Sequence, residues 1–221
     1  IGILSQEDLQ VLWLPLAHVF GKVLLTLPLQ IGFPTAVDGR VDKIVENVGV
    51  VKPTFMGAAP RIFEKAYGKI TTMMQAEGGV KAKLFGWAGG VGKEVGLIRA
   101  AGGEPGGMLA LKYRLADKLV LSKIRDRFGG RVRFFISGSA ALNEDVARWF
   151  DAMGLLILEG YGLTETSPFV SINRPHDFLF GTVGTPAPST EVKIDGGTGE
   201  ICVRGPQVML GYLNNEEETA K

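Results

Sequence analysis

Short apolar runs alternate with amphipathic stretches along the first 75 residues, and this alternation restricts the fold more than any other feature. The strand candidates are residues 11–14, 35–37 and 53–57. Helical spacing of apolar residues predicts helices over residues 18–31, 42–50 and 60–74. Parallel strands need long crossover connections, which helices usually supply. The pattern therefore predicts an α/β fold with a parallel-rich sheet and crossover helices.

The pattern continues in the second half and then changes. Residues 75–107 are rich in glycine, which favours helices separated by loops. The elements predicted next are a helix over 109–128, a strand over 132–136, a helix capped by Asn143 and a strand over 155–158. Two short strands at 191–194 and 200–204 then flank a glycine-rich turn, which indicates a β-hairpin. We predict two regions, an α/β portion over 1–180 and the beginning of a small β-rich subdomain over 181–221.

Charge, cysteine content and hydropathy exclude several classes of protein. The net charge is +1, so there is no basic excess of the kind that binds nucleic acid. A single cysteine, Cys202, excludes an intramolecular disulfide and favours a reducing, cytoplasmic location. The longest apolar run, residues 19–33, is interrupted by Lys22 and Pro28 and is too short to span a bilayer. No signal peptide is visible, and we expect both ends to be internal to a longer polypeptide.

Two turns carry residues suited to binding a nucleotide. Residues 137–141 follow a predicted strand and have small side chains, which let a flat ring approach the backbone. Residues 159–167 follow the next strand and offer the Tyr161 ring for stacking, hydroxyl groups for phosphate oxygens and the Glu165 carboxylate for magnesium. Ligands of parallel sheets lie beyond the carboxyl ends of the strands, so we expect the two turns to form one site.

A second glycine-rich stretch resembles a phosphate-binding loop but fails as one. Residues 86–94 end in Gly92-Lys93-Glu94, so Glu94 stands where the hydroxyl residue belongs, and Trp87 stands where the first glycine belongs. No strand is predicted before it. We therefore do not assign it to nucleotide binding, and we interpret His176 as a solvated loop residue.

Four sequence blocks resemble the adenylate-forming superfamily, which includes acyl-CoA synthetases, luciferases and the adenylation domains of peptide synthetases. They are residues 161–168 (Tyr-Gly-Leu-Thr-Glu-Thr-Ser-Pro), 14–21, 136–142 and 199–212. Their order and spacing match the superfamily over almost the whole chain. Ala140-Ala141 departs from the Ala-Pro common in that turn. The long helical stretch 58–128 resembles the long-chain fatty acyl-CoA synthetases of bacteria.

The resemblance implies roles for particular residues. It assigns nucleotide binding to Gly138, Ser139, Ala140, Glu159, Gly160, Tyr161, Gly162 and Thr164. It also makes Thr164 and Glu165 the catalytic residues, with Glu165 holding Mg²⁺, and places His18, Val19 and Phe20 along the acyl tunnel. The phosphate loop is expected before residue 1. The ribose-binding Thr-Gly-Asp block and the C-terminal domain with its catalytic lysine are expected after residue 221.

The implied reaction joins a long-chain fatty acid to coenzyme A in two steps, through an acyl-adenylate made from ATP. The partners are then ATP, the fatty acid, coenzyme A and the rest of the same polypeptide, with peripheral membrane contact left open. Two alternatives remain. The chain is an adenylation domain for another carboxylic acid, or, taken in isolation, a non-catalytic fragment.

Overall fold

The computed structural model describes residues 2–220 and contains nine strands and eight α-helices in that range. The strands are β1 Gln10–Leu12, β2 Thr35–Val37, β3 Phe55–Ala58, β4 Phe134–Ser137, β5 Leu156–Tyr161, β6 Ser171–Ile172, β7 Thr185–Pro186, β8 Glu191–Ile194 and β9 Ile201–Arg204. The helices are α1 Val19–Ile31, α2 Ile44–Val51, α3 Pro60–Glu77, α4 Gly79–Ala100, α5 Gly107–Ala116, α6 Ser122–Asp126, α7 Glu144–Ala152 and α8 Glu216–Thr219.

Seven strands form one sheet in the order β2-β1-β3-β4-β5-β6-β7. The first five are parallel, while β6 and β7 are antiparallel to their neighbours. The predicted α/β class with a parallel-rich sheet is therefore confirmed. Strands β8 and β9 form a separate antiparallel hairpin, as the turn between them predicted. The division at residue 180 stays a prediction, and Ile1 and Lys221 lie outside the described residues.

Aromatic residues fill both faces of the sheet, as a parallel sheet covered by helices requires. Phe134 packs on one face against Phe55, with ring centroids 5.9 Å apart. Its neighbour Phe135 points to the other face, where its ring lies 5.4 Å from that of Phe63 on α3 and 6.4 Å from that of Phe150 on α7. All five rings are almost fully buried, so they fix which strand faces which helix.

Three predicted elements differ from the structure. The glycine-rich stretch is interrupted less often than predicted: a loop lies at residues 101–106, as expected, but Gly79–Ala100 before it is one helix of 22 residues. The helix predicted over 109–128 is divided by one turn of π-helical hydrogen bonding at Asp117–Leu121. Strand β5 runs beyond residue 158 through Tyr161, because Gly160 and Tyr161 pair with β6.

Several local predictions are confirmed. The Asn143 side chain accepts hydrogen bonds from the backbone N–H groups of Asp145 and Val146 at the start of α7. Residues 86–94 lie inside α4 and have no strand before them, so they cannot form a phosphate-binding loop. Within residues 2–220, no helix combines the length and the apolar character that crossing a bilayer requires.

Candidate functional site

The two turns that were predicted to bind nucleotide lie side by side at the carboxyl edge of the sheet. Strands β4 and β5 are parallel neighbours, and Ser137 at the end of β4 is paired in register with Glu159 of β5. After Ser137 the chain turns at Gly138, which is buried, and at Ser139, which has a positive φ of 74°. Ser139 and Ala140 are exposed. The structure thus brings the two motifs together, as their order on parallel strands predicted.

Glu159 links the two turns instead of pointing freely into solvent. Its carboxylate is buried, and Oε1 accepts a hydrogen bond of 2.8 Å from the backbone N–H of Leu142. Its carbonyl accepts another, of 2.9 Å, from the backbone N–H of Asn173. Burial raises the pKa of Glu159, and the Leu142 N–H opposes this only in part. Leu142 and Asn173 are partners that the sequence analysis did not identify.

Gly160, Tyr161 and Gly162 continue from β5 into the loop. Gly160 and Tyr161 are half-buried members of the strand, so this part of the motif is extended and not a turn. Gly162 lies against the far side of the same loop, where an added Cβ would stand only 1.3 Å from the Pro168 carbonyl oxygen. Only glycine permits this close approach. Stacking of the Tyr161 ring on a base stays a prediction.

The three residues after Leu163 form a single 3₁₀ turn with different surroundings. Thr166 is buried, and its hydroxyl closes the turn by accepting from the Leu163 N–H at 2.9 Å and donating to the Leu163 carbonyl at 3.1 Å. Its hydroxyl therefore supports the loop and is not presented to a phosphate. Thr164 is exposed, so its hydroxyl remains available for a ligand.

Glu165 is held from two sides by a later part of the chain. The Tyr212 hydroxyl donates to Glu165 Oε1 at 2.8 Å, and the Met209 N–H donates to the Glu165 carbonyl at 2.8 Å. The backbone N–H of Glu165 itself and the Tyr212 hydroxyl lower the pKa of this carboxyl group. In return, the hydrogen bond to Glu165 raises the pKa of Tyr212.

The groups around Glu165 fit one particular mode of magnesium binding. Within residues 2–220, no three His, Cys, Asp or Glu side chains converge on one point. The described residues therefore offer no cluster of such side chains that would enclose a cation by itself. Mg²⁺ often binds through only one or two carboxylates, with waters and substrate phosphates completing its octahedron. Glu165 Oε2, with Thr164 nearby in the turn, matches that second arrangement.

The three tunnel candidates occupy different environments at the start of α1. His18 is exposed and caps the helix, because its Nδ1 accepts a hydrogen bond of 3.2 Å from the Phe20 N–H. Val19 and Phe20 are half-buried. The Phe20 ring covers two glycines at adjacent strand ends: an added Cβ would stand 3.3 Å from it at Gly57 and 3.6 Å from it at Gly138. Phe20 therefore adjoins the β4 turn, whereas the His18 side chain caps α1.

A cleft of about 180 Å³ lies at the opposite, amino-terminal edge of the sheet. Its lining includes Arg99, Tyr113 and Asp151. Burial raises the pKa of Asp151, and the charges of Arg99 and Arg148 oppose that rise. None of the residues predicted to bind nucleotide lines this cleft, so it is separate from the motif turns.

Comparison with known proteins decides the family. The sequence model described as "AMP-binding enzyme" matches residues 2–213. The chain belongs to the AMP-binding enzyme family. This membership confirms the resemblance to the adenylate-forming superfamily.

Curated members of the AMP-binding family similar to this chain include several named for long-chain acids. This chain is 33% identical over 228 residues to long chain acyl-CoA synthetase 6, peroxisomal, of Arabidopsis thaliana. The aligned region covers 96% of this chain and 31% of that protein. It is also 33% identical over 219 residues to the long-chain-fatty-acid–CoA ligase FadD15 of Mycobacterium bovis, covering 99% and 36%. The chain thus spans about a third of the length of the curated relatives it matches.

Solved structures show the same fold. An o-succinylbenzoate CoA synthetase from Bacillus subtilis superposes with a TM-score of 0.64 at 18% identity, covering 100% of this chain and 36% of that one. A malonyl-CoA ligase superposes with a TM-score of 0.61 at 26% identity, covering 98% and 39%. Both likenesses support the α/β architecture of this AMP-binding family member.

Proposed function

We propose that the full-length protein containing this chain, here called the complete enzyme, is an ATP-dependent long-chain fatty acid–CoA ligase. The observation that carries the proposal is the meeting of the β4 and β5 turns at the carboxyl edge of the sheet, with Thr164 and Glu165 on one and small residues on the other. Family membership and relatives named for long-chain acids support the substrate class.

In the proposed first step the fatty acid carboxylate attacks the α-phosphorus of ATP. The new bond joins the carboxylate oxygen to phosphorus, and pyrophosphate leaves with the electron pair of the broken P–O bond. In the second step the thiolate of coenzyme A attacks the acyl carbon, and AMP leaves. No covalent bond to the protein is needed, so the contribution of this chain is positioning and electrostatics.

Each role is assigned from the family resemblance together with the position of the residue. The exposed Thr164 hydroxyl donates to an α-phosphate oxygen, and Glu165 Oε2 binds the cation. The magnesium ion, when bound, neutralises the charge that develops on the phosphate oxygens. Tyr161 and the Gly138–Ala140 backbone enclose the adenine, and Phe20 forms the wall where the acyl chain meets the nucleotide.

The compartment and membrane contacts are also proposals. One cysteine, which is exposed on β9, suits a reducing cytoplasm, although two Arabidopsis relatives are named as peroxisomal. Peripheral contact with a membrane would serve a lipid substrate and is tested by flotation of the complete enzyme with vesicles.

The decisive experiment is acid-dependent exchange between ATP and radiolabelled pyrophosphate by the complete enzyme. We expect exchange with palmitate and oleate, and little with acetate, benzoate or amino acids. Conversion of coenzyme A to the acyl thioester should then show the same preference among these acids. Exchange driven only by aryl or amino acids would favour an adenylation domain for another acid and refute the long-chain assignment.

A further inference from the structure

The segment that follows the β-hairpin lies along the loop between β5 and β6 and contacts that loop at three successive points. We call residues 205–212 the strap. Gln207 Nε2 donates to the Phe169 carbonyl at 3.2 Å and to Thr190 Oγ1 at 2.8 Å. Further along, the Met209 N–H donates to the Glu165 carbonyl at 2.8 Å. The strap ends at Tyr212, whose hydroxyl reaches the Glu165 carboxylate.

Tyr212 is held in place without being buried. Tyr212 is 45% exposed, so hydrophobic packing does not explain the orientation of its side chain. Its backbone N–H donates to Thr219 Oγ1 at 2.9 Å. Gly211 lets the chain pass close to Thr219, because an added Cβ there would stand 2.5 Å from Thr219 Cγ2. The backbone thus aims the Tyr212 hydroxyl at Glu165 Oε1.

We propose that Tyr212 is a positioning residue that prepares Glu165 to bind magnesium through one oxygen. The hydroxyl occupies Oε1, so Oε2 is the oxygen that would bind the cation. Mg²⁺ demands near-ideal octahedral geometry, which a carboxylate satisfies best through a single oxygen, whereas a bidentate carboxylate suits larger Ca²⁺. A carboxylate free to rotate would have to be fixed as the cation binds. This inference rests on the proposed function, since it presumes that Glu165 meets Mg·ATP.

The test measures ATP binding by the complete enzyme, with the cation as the variable. Calorimetric titrations are run with ATP in Mg²⁺ and with ATP in EDTA, for the wild type, Tyr212→Phe and the control Leu213→Ala. Leu213 is the next residue and is 91% exposed. Tyr212→Phe keeps the ring and removes only the hydroxyl. We expect it to weaken Mg·ATP binding about tenfold, the size of one lost charged hydrogen bond, and to leave binding in EDTA within about twofold.

Two further measurements separate positioning from structural support. The Mn²⁺ form of the nucleotide complex, followed by electron paramagnetic resonance, should show a broadened spectrum in Tyr212→Phe because the cation site is less ordered. In a Glu165→Gln background, Tyr212→Phe should cause no further loss, because the residue acts through Glu165. Leu213→Ala should behave as the wild type in every titration.

The outcomes that overturn the inference are distinct. Equal weakening of ATP binding in Mg²⁺ and in EDTA would show that Tyr212 only supports the loop. Unchanged binding in both would remove it from the site, while the proposed function would stand on the wild-type result. A wild-type enzyme that binds ATP no better in Mg²⁺ and makes no acyl-adenylate would refute the proposed function and this inference together.

Discussion

At the scale of single residues, Glu159 differs most from its expected role. It was predicted to bind nucleotide because of its place in the motif, and that role remains a prediction. Its carboxylate anchors the Leu142 N–H, which lies in the turn after the neighbouring strand. The sequence could not reveal this contact, because the two residues are 17 positions apart and meet only through parallel pairing of β4 and β5.

Substitution of Glu159 should separate its charge from its hydrogen bond. Glu159→Gln keeps an acceptor for the Leu142 N–H and removes a buried charge, so the complete enzyme should be equally or more stable at pH 7. Glu159→Ala leaves the buried N–H unpaired, which costs about 1–3 kcal/mol. Thermal unfolding of both variants tests this, and a Glu159→Gln variant as unstable as Glu159→Ala would contradict it.

The raised pKa of Glu159 also predicts a pH dependence. The folded protein holds the proton more tightly than the unfolded chain. The contribution of Glu159 to stability therefore falls as the pH rises from the ordinary glutamate pKa of about 4.3 towards the raised folded-state value. The Tm difference between Glu159→Gln and the wild type should grow as the pH rises through this range. A constant difference would refute the raised pKa of Glu159.

Glu165 should matter for catalysis far more than for stability. We expect Glu165→Gln to slow acyl-adenylate formation in the complete enzyme by roughly 10²-fold, the scale of one lost electrostatic contact with a transition state. Its thermal stability should change little, since the carboxylate is solvent-accessible. The control is Glu46→Gln, which removes a surface ion pair with Lys43. Equal rates for the two variants would remove Glu165 from the site.

At the scale of elements, the strands and helices with strong apolar periodicity were predicted well, and the glycine-rich stretch only in part: its loop at residues 101–106 was expected, whereas its unbroken 22-residue helix was not. Glycine weakens a helix locally, so residues 75–107 appeared to contain loops. In the structure, Gly92 of α4 lies against α7, where an added Cβ would stand 2.0 Å from the Ala152 carbonyl oxygen. The glycine permits helix packing, a reason that depends on a partner 60 residues away and is invisible in local sequence.

Alanine substitutions in α4 should have opposite effects at neighbouring glycines. Gly92→Ala forces α4 and α7 apart and should destabilise the complete enzyme by about 1–3 kcal/mol, as overpacking does. Gly90 has open space around it, so Gly90→Ala should stabilise the helix by up to about 1 kcal/mol. Urea unfolding compares them. Destabilisation by both would indicate that helix propensity and packing are not the governing terms.

Three strands are tied together at their amino-terminal ends by the buried Asp8. Its carboxylate accepts a hydrogen bond of 2.5 Å from Thr54 Oγ1, just before β3, and one of 2.8 Å from Arg133, just before β4. Burial by itself raises the pKa of Asp8, but hydrogen bonds from Thr54 and the Ser5 N–H, with the Arg133 charge, outweigh it and lower the pKa below the ordinary value.

The lowered pKa of Asp8 predicts acid sensitivity. Its stabilising contribution is complete above the ordinary aspartate pKa of about 3.9 and is lost as the pH falls below that value. Asp8→Asn should reduce the Tm at pH 7 and flatten its decline in acid. Asp42→Asn, at an exposed residue of the turn Val41–Lys43, serves as the control and should change little. Parallel acid profiles for Asp8→Asn and the wild type would contradict this role.

At the scale of the whole molecule, apolar surface is exposed on both the helices and the sheet edge. Leu29 is 88% exposed, Val80 is 81% exposed, and Val37 on the edge strand β2 is 55% exposed. Unpaired strand edges and apolar patches promote association. We expect the isolated 221-residue chain to self-associate. Light scattering after size-exclusion chromatography tests this, and Val37→Lys should reduce the association. A monodisperse monomer would refute the expectation.

The isolated chain should also bind Mg·ATP weakly and make no acyl-CoA. The phosphate loop, the ribose-binding block and the lysine that the resemblance implies are not among its residues. Each charged hydrogen bond contributes about 1.5–3 kcal/mol, so the loss of three would lower affinity by several orders of magnitude. Calorimetry beside an acyl-CoA assay provides the measurement. Micromolar binding with turnover would show that these 221 residues suffice.

The loop between β5 and β6 closes on itself before any ligand arrives. Gly160 and Tyr161 pair with Ile172 and Ser171, and the Val170 N–H donates to the Tyr161 carbonyl at 3.0 Å. A flexible loop that orders on binding loses about 1–2 kcal/mol of backbone conformational entropy per residue, which opposes affinity. Here that loss occurs during folding. In the proposed complex the nucleotide would meet a preorganised surface, so its contacts with the loop would be expressed almost fully in the binding free energy.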